Sequence, residues 1–449
     1  MSAVRTARAA PYDHTLMTDM SRDPEIVAEV ATAAGGVPVI DTDPPVHPAP
    51  PERRDLKIAP WLVIGAIILL AGNLRAAVNV IGAVLPQMRS ALDLTGAEAG
   101  LLTALPAFCF GFLGATGPIV ARRLGPSRTV IAALVVMTLG QLVRAFVPGR
   151  PALFAGSAIT LAAIAIANVL MPSLVRYYFP GRVAALTAIY TVTLSAFSSA
   201  ASILTLPFEN AVGGGWRVGL GSWAAFSVIA ILPWLVVGVR EHAGDFSDGG
   251  GHLKLMHIAR SFKAWVLVVF FAVQAFQAYI IFGWMPTILH DEGHSLVAAA
   301  AYVGLVSLIS MGASVFVPTL MHRLAHPSIV VWALSAFYVS GYIGLYFAPL
   351  QLTWLWTSLI GIGSSYFTLT LFVVTMRART HGGVLSLSGF MQGAGYVIAG
   401  AGLLLFGVVH GDSTVWDAAI AGLVVLTLFQ TVVGLVSVSR WTIEDELGL

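Results

Sequence analysis

Charge is what this sequence has least of. Asp, Glu, Lys and Arg make up 10% of its 449 residues, hydrophobic residues make up 57%, and the mean hydropathy is +0.85. An ordinary soluble protein carries roughly 25% charged residues. The composition therefore excludes that class and predicts an all-α membrane protein that crosses the lipid bilayer many times. Its net charge of +2 gives no support for nucleic-acid binding.

The chain also lacks the signatures of catalysis and redox chemistry. Its single cysteine, Cys109, excludes an internal disulfide. It has no phosphate-binding glycine loop, metalloprotease helix or nucleophile elbow, which disfavours ATP-driven transport and hydrolysis. We therefore expect neither an enzyme nor a cofactor. A gradient, either of the substrate or of a coupling ion, then supplies the energy.

Ionisable residues fall at the edges of the apolar runs. No Asp or Glu lies well inside a run, so a carboxylate proton relay is not expected. The eleven histidines fall in the tail, the loops or the run ends. His290 and His294 have a spacing that a metal could use, but a solvated turn is the expected structure, and no metal site is predicted.

Twelve apolar runs follow residue 58, each long enough for a helix that crosses a hydrocarbon core of about 30 Å. We predict these helices at 59–86, 98–121, 127–147, 151–176, 183–207, 217–238, 264–289, 297–320, 328–348, 351–376, 383–409 and 414–438.

Composition also divides the chain. Residues 1–57 are polar and rich in proline, which predicts a disordered cytoplasmic tail. Residues 240–263 form a glycine-containing polar stretch, which predicts a flexible cytoplasmic linker. The expected units are two six-helix bundles, 58–239 and 264–440, followed by a short cytoplasmic tail, 441–449.

Most basic residues outside the apolar runs fall on one side of the predicted bundle. They follow the even-numbered runs, whereas the odd connections carry few basic residues and several acids. The basic residues are Arg122, Arg123, Arg128, Arg176, Arg182, Arg240, Lys254, Arg260, Lys263, Arg323, Arg377 and Arg379. By the positive-inside rule both termini face the cytoplasm, and the expected location is the cell membrane. Arg144, near the outer end of the third run, is expected to snorkel to the interface.

The two halves carry a weak internal repeat. AVLPQM (83–88) resembles GWMPTI (283–288), and RRLGPS (122–127) resembles HRLAHPS (322–328). Parallel repeats of this kind place a substrate site near the bilayer midplane between the halves. Access to that site switches when one half rocks against the other.

Several stretches together resemble the cyanate/2-nitroimidazole transporter group of the major facilitator superfamily. They are GNLRAAVNVIGAVLPQMRSAL (72–92), AGLLTALPAFCFGFLGATGPIVARRLG (99–125), IANVLMPSLVRYYFPGR (166–182), ALTAIY (185–190), GWR (215–217), WMPTIL (284–289) and LSLSGFMQGAGY (385–396). The resemblance implies the major facilitator fold of twelve transmembrane helices, a monomer, and a cyanate-like or nitroimidazole-like substrate.

One loop departs from the wider superfamily. Most major facilitators carry an acid among the basic residues after the second helix, and ARRLGPSR (121–128) keeps the basic residues without the acid. Arg122 and Arg123 are therefore assigned to gating or structure, and the partner of a gating ion pair is left unassigned.

Arg75 is the first candidate for contact with a substrate. It sits near the middle of the first run, between Asn73 and Asn79. A cation at this depth persists when it faces a bundle interior or a wet cavity. Spacings of three and four place Arg75 and Asn79 on one polar stripe, and a guanidinium suits a planar, oxygen-bearing anion. The structural alternative is that Arg75 caps carbonyls of a neighbouring helix.

The fourth and fifth runs add further candidates. Asn168, Pro172 and Arg176 share one face of the fourth, where Pro172 is expected to bend the helix and Arg176 to anchor or gate its end. Asn168 is interpreted either as a ligand contact or as a bond between helices. Tyr190 of the fifth run is either a cavity lid or a packing residue.

The second half contributes amides and aromatic residues. Gln274 and Gln277 lie one turn apart in the seventh run and are expected to point inward, toward substrate or another helix. Trp284 ends that run and is assigned to gating or structure. Gln392 and Tyr396 share a face of the eleventh run, with Gln392 as the binding candidate and Tyr396 as a gating or structural residue, as Asn73 is in the first half.

The sequence thus predicts a secondary transporter that moves a small polar or anionic organic compound by rocker-switch alternating access. The substrate-binding residues would be Arg75, Asn79, Asn168, Tyr190, Gln274, Gln277 and Gln392. Two alternatives stay open, an exporter of apolar drugs and a membrane receptor that does not transport.

Overall fold

A computed structural model of the protein describes residues 59–239, 255–324, 326–410 and 415–447. This part of the chain is helical and contains no strand, and twelve of its helices are long and apolar enough to cross a membrane. The predicted fold class, two bundles of six transmembrane helices, is confirmed. The predicted tail 1–57 and residues 240–254 of the predicted linker lie outside the described residues.

We number the spans in chain order. Spans 1 to 6 are Pro60–Leu92, Gly96–Leu113, Pro126–Phe146, Arg150–Tyr178, Val183–Val212 and Gly215–Val239. Spans 7 to 12 are Phe262–Gly283 with Met285–Asp291, Leu296–Arg323, Ser328–Phe347, Thr353–Gly363 with Tyr366–Met376, His381–His410 and Asp417–Ser437. Shorter helices are Gly114–Thr116, Gly117–Leu124, Pro180–Arg182, Leu255–Ile258 and Ile443–Leu447. We call the membrane side where span 1 begins the terminal face, and the other side the distal face.

Two predicted spans are broken rather than continuous. Span 7 is interrupted at Trp284, two residues before Pro286, whose ring cannot continue a helical hydrogen-bond ladder. Span 10 is interrupted at Ser364 and Ser365, directly after Gly363.

A capping box fixes the distal corner between spans 1 and 2. Thr95 Oγ1 accepts the backbone N–H of Glu98 at 3.2 Å, and the Glu98 carboxylate accepts the backbone N–H of Thr95 at 2.8 Å. Arg150 of span 4 pairs with the same carboxylate at 3.1 Å and donates to the carbonyls of Leu92 and Asp93. Side chains of spans 2 and 4 therefore fix this corner, together with the backbone carbonyls that end span 1.

Two sequence expectations about charge are wrong. Arg144 does not snorkel, because it is 0% exposed and donates from Nη2 to the Ala77 carbonyl of span 1 at 3.1 Å. Span 5 continues five residues beyond its predicted end, so that Glu209 lies within it and is 4% exposed. The membrane-spanning part thus contains a buried carboxylate that the apolar runs did not reveal.

The end of the chain, predicted as a short tail, packs at the terminal face. Ile443 is fully buried, and Glu444 in the same short helix accepts the backbone N–H groups of Arg379 and Thr380, each at 3.0–3.1 Å. Burial opposes ionisation of Glu444, but these hydrogen bonds outweigh it and lower the pKa of the carboxyl. The carboxylate thereby occupies the start of span 11, where the helix dipole favours a negative charge.

The close packing of spans 3 and 4 can be tested by adding a side chain at their contact. A Cβ at Gly156 would lie 2.5 Å from the backbone nitrogen of Arg144, whereas a Cβ at Gly65 meets nothing within 4 Å. Overpacking costs about 1–3 kcal/mol. We expect Gly156→Ala to lower the thermal unfolding temperature of the purified protein and Gly65→Ala to leave it unchanged or raise it. Equal unfolding temperatures would contradict the packing described here.

Candidate functional site

Arg75 lies on span 1 and acts across the gap between the two bundles. Its side chain is half-buried, and no residue in the described ranges accepts a hydrogen bond from its guanidinium or forms an ion pair with it. Its charge acts on the hydroxyl groups of Tyr279 in span 7 and Tyr396 in span 11. The guanidinium therefore faces the second half with its five N–H donors available to a ligand.

Aromatic rings from both halves surround Tyr396. Phe110 of span 2 stacks on it with ring centroids 5.3 Å apart and an interplanar angle of 28°. Phe271 of span 7 meets it edge-on at 4.9 Å, and Tyr279 lies at 6.4 Å. We call Phe110, Phe271, Tyr279 and Tyr396 the aromatic cluster. It places flat apolar faces and two hydroxyl groups beside the Arg75 charge.

Two hollows in the structure could hold a ligand or water. A small cavity of about 20 Å³ lies between spans 1, 2 and 7, with Tyr279 in its wall, and has room for about one water molecule. A larger hollow of about 420 Å³ opens at the distal ends of spans 1, 7 and 8, with Gln87 and His290 in its wall. None of the predicted substrate-binding residues lines the larger hollow. The charge on Arg75, not hollow size, therefore identifies the candidate site.

Asn79 lies one turn after Arg75 and takes part in a chain of hydrogen bonds between the halves. It is 2% exposed, and its Nδ2 donates to Ser198 Oγ of span 5. Ser198 lies 3.1 Å from Ser307 Oγ of span 8. Asn79 Oδ1 is buried and has no partner in the described part of the chain. Asn79 thus connects the Arg75 helix to the second half.

The candidates on spans 4 and 5 are partly accessible. Asn168 is half-buried, and its amide has no hydrogen-bond partner among the residues that the structure describes. Pro172 and Arg176 are exposed, and the helix runs through Pro172 without a break. Tyr190 is half-buried and packs against the apolar core. Asn168 is therefore the one of these four with a free amide for a ligand.

The two amides of span 7 have different surroundings. Gln277 is fully buried, donates to Gln430 Oε1, and accepts hydrogen bonds from Thr427 at 3.0 Å and Tyr342 at 3.2 Å. It is committed to contacts inside the second half, and we leave it out of the proposed site. Gln274 is 2% exposed, and its Oε1 is buried without a partner in the described ranges.

The remaining residues of the second half lie near Tyr396 or the bundle interface. Gln392, half-buried and one turn before Tyr396, donates to Ser388 Oγ at 2.9 Å. Trp284, at the break in span 7, donates from Nε1 to Thr103 Oγ1 of span 2 at 3.0 Å. Trp284 therefore joins the two halves.

The amide of Asn73 bonds inside the first half, and the basic residues of the terminal face are at the surface. Asn73 Oδ1 accepts from Ser227 at 2.6 Å, and Ser227 accepts from Gln141 at 2.7 Å. This chain joins spans 1, 3 and 6 inside the first half, so Asn73 is a structural contact. Arg122 and Arg123 are exposed at the terminal face.

Sequence reasoning missed four residues near the site, two phenylalanines and two hydroxyl residues. Nothing in the sequence distinguishes Phe110 and Phe271 from the other apolar residues of their helices. Thr103 and Ser198 carry no signal by themselves, because a hydroxyl in a span usually bonds its own backbone. Their partners on other spans are visible only in the folded protein. Among the described residues, no three His, Cys, Asp or Glu side chains cluster as a metal site would require.

Comparisons with known proteins place the chain among transporters. The family model described as Major Facilitator Superfamily matches residues 67–400. The chain is 31% identical to the 2-nitroimidazole transporter of Escherichia coli (strain K12), over 83% of this chain and 94% of that protein. It is 30% identical to an uncharacterised transporter, YycB, of Bacillus subtilis (strain 168), over 86% and 95%. It is 25% identical to the cyanate transport protein CynX of Escherichia coli (strain K12), over 81% and 95%.

Solved structures agree on the fold. The crystal structure of a mutant of the nucleoside transporter NupG superposes with a TM-score of 0.70 at 14% identity and covers 84% of this chain and 100% of that one. At this identity the likeness concerns the fold alone. Together, the twelve spans, the two bundles and the sequence match over most of the chain show that this protein is a multi-pass membrane transporter of the Major Facilitator Superfamily.

Proposed function

We propose that the protein is a secondary transporter of small, planar, electron-rich compounds of the cyanate or nitroimidazole type, with Arg75 as the anchor for the substrate. The observation that carries this proposal is the guanidinium between the bundles, half-buried and without a hydrogen bond to any described residue. A planar fork of donors matches nitro, carboxylate or cyanate groups. The names of two relatives, a 2-nitroimidazole transporter and a cyanate transport protein, support the same substrate class.

The aromatic cluster supplies the second feature of this substrate class. A flat ring bound to Arg75 would lie beside Tyr396 and Phe110, which are already stacked at 5.3 Å. Offset stacking and edge contacts contribute about 0.5–1.5 kcal/mol per aromatic pair. Asn168, Gln274 and Gln392 are the amides that we assign to the rim of the site, with Asn79 and Tyr190 as neighbours. An apolar drug would offer the Arg75 guanidinium neither a negative charge nor a hydrogen-bond acceptor.

Contacts between the halves support alternating access. A Cβ at Gly82 of span 1 would lie 1.8 Å from the Phe282 carbonyl, and a Cβ at Gly100 would lie 2.7 Å from Gly407 Cα. These contacts, and the bonds Trp284 to Thr103 and Ser198 to Ser307, lie in the middle or distal half of the spans. In the described ranges no hydrogen bond or ion pair joins the halves at the terminal face. We assign this conformation as closed at the distal face.

The exposed arginines of the terminal face support the orientation. Arg122, Arg123, Arg128, Arg176 and Arg182 are all exposed there. The positive-inside rule then makes the terminal face cytoplasmic, in the cell membrane.

Removal of the Arg75 charge tests the anchor. A hydrogen bond to a charged group contributes about 1.5–3 kcal/mol, so Arg75→Gln should weaken binding by about 10- to 150-fold. We expect cyanate, nitrate or 2-nitroimidazole to raise the unfolding temperature of the wild-type protein, and the rise to disappear in Arg75→Gln. Arg128→Gln, at an exposed arginine of the terminal face, is the matched control. A ligand effect that survives in Arg75→Gln would rule out the anchor and favour an exporter of apolar compounds.

A bulky residue at the crossing of spans 1 and 7 tests alternating access. Gly82→Val cannot keep the Phe282 contact, and a cost of about 1–3 kcal/mol would shift the two conformations by about 5- to 150-fold. Spin labels on V147C and L350C, with Cys109→Ala, would report the distance across the distal face. We expect that distance to lengthen in Gly82→Val and to stay unchanged in Gly65→Val. No lengthening would contradict distal closure at this crossing.

A further inference from the structure

Glu209, near the distal end of span 5, is a buried carboxylate that the proposed binding of substrate does not use. It is 4% exposed, and its Oε1 accepts a hydrogen bond from Gln87 Nε2 of span 1 at 2.9 Å. Its Oε2 is buried without a partner in the described part of the chain. That oxygen lies against span 6, where a Cβ at Gly219 would be 2.9 Å away. The carboxyl group is therefore enclosed by three spans and receives one donor.

The Gln87 amide has an acceptor oxygen that receives no hydrogen bond. Its Oε1 is also buried and has no partner among the described residues. An ionised carboxylate only accepts hydrogen bonds, whereas a carboxylic acid also donates one. A proton on Glu209 would give this pair the donor that it lacks, with Gln87 Oε1 as the acceptor. Burial of an unpaired charge costs more than burial of a hydrogen-bonded neutral pair.

Among the residues that the structure describes, no cation compensates the Glu209 carboxylate. Glu209 forms no ion pair with any described residue. Arg217 of span 6 donates to the Ala145 carbonyl at 2.9 Å, and His290 bonds the His294 carbonyl at 2.9 Å. Spans 1, 4, 6 and 8 pack against span 5. The titratable or charged side chains on these spans and on the nearby end of span 7 are Arg75, Arg89, Arg150, Arg176, Tyr177, Tyr178, Arg217, Tyr302, His322, Arg323, His290 and Asp291.

The position of the pair links it to distal closure. Gln87 also lines the distal hollow, whose wall includes His290 and Leu296 from the second half. In this distally closed conformation the unpartnered oxygens of both side chains, Gln87 Oε1 and Glu209 Oε2, are nevertheless buried from water. An ionised carboxylate resists that loss of water, and the neutral acid does not. Span 1 carries both Gln87 and Arg75. Movement of this helix therefore affects the Glu209–Gln87 pair and the substrate site together.

We propose that Glu209 is the site of the coupling ion, which is a proton. In an open distal face, water delivers the proton to a carboxyl oxygen of Glu209, and the neutral acid then pairs with Gln87 as the face closes. Coupling requires that the proton then leave to water that enters from the terminal face while the distal face stays closed. This assignment rests on the proposed transport function for its role, but the protonation state of Glu209 can be measured without any substrate.

Infrared spectroscopy of the purified protein in lipid vesicles measures that state. At neutral pH we expect the wild type to show a carboxylic C=O stretching band that shifts in D2O and is lost in Glu209→Gln. Glu98→Gln is the matched control, because Glu98 is paired with Arg150 at 3.1 Å. Gln87→Met provides a second test, since loss of the amide partner should move the band to higher frequency. A band unchanged in both Glu209→Gln and Gln87→Met would overturn the proposal.

Uptake assays distinguish a failure of the proton-coupling role from a failure of the proposed substrate class. Uptake of labelled 2-nitroimidazole or cyanate into vesicles that contain the wild type should rise when a pH gradient is imposed. We expect Glu209→Gln to lose this stimulation and Glu98→Gln to keep it. Stimulation retained in Glu209→Gln would overturn the coupling role. No wild-type flux of either compound would contradict the proposed substrate class, and the infrared result would still decide whether Glu209 holds a proton.

Discussion

An arginine at bilayer depth without a counter-ion is the constraint on which the rest of this structure depends. Placement of such a cation in an apolar environment costs about 2.5–3.5 kcal/mol even on the mildest scale. Arg75 is half-buried, faces Tyr279 and Tyr396 of the opposite half, and bonds no described residue. The described residues leave its N–H donors unused at the gap between the bundles, and a ligand with acceptor oxygens would use them.

The contrast with Arg144 shows that burial alone does not define a site. Arg144 is 0% exposed, donates to the Ala77 carbonyl, and packs beside Gly156 inside the first half. Its side chain holds span 3 against the helix that carries Arg75. Arg144 thus stabilises the face of span 1 that packs inside the first half, whereas Arg75 bonds no described residue at the gap between the halves. Contacts between the halves lie on the distal side of Arg75, where a Cβ at Gly82 would reach the Phe282 carbonyl.

Much of the fold followed from the sequence because apolar run length and loop charge are local properties. The twelve spans and the two bundles are confirmed, and Arg75 stood out as an isolated charge. Span ends were less predictable: span 5 continues through Pro207 to Val212, which encloses Glu209. Gln277 illustrates the limit for the site, since its partners Gln430, Thr427 and Tyr342 come from other spans. Such pairings depend on helix rotation, which a single sequence does not specify.

An experimental structure with 2-nitroimidazole bound would test the role of Arg75 most directly. We expect a nitro oxygen within hydrogen-bond distance of the guanidinium and the ring of the ligand against Tyr396 or Phe110. A ligand seated in the distal hollow beside His290, or anywhere that leaves Arg75 without a contact, would contradict the assignment of this guanidinium as the substrate anchor.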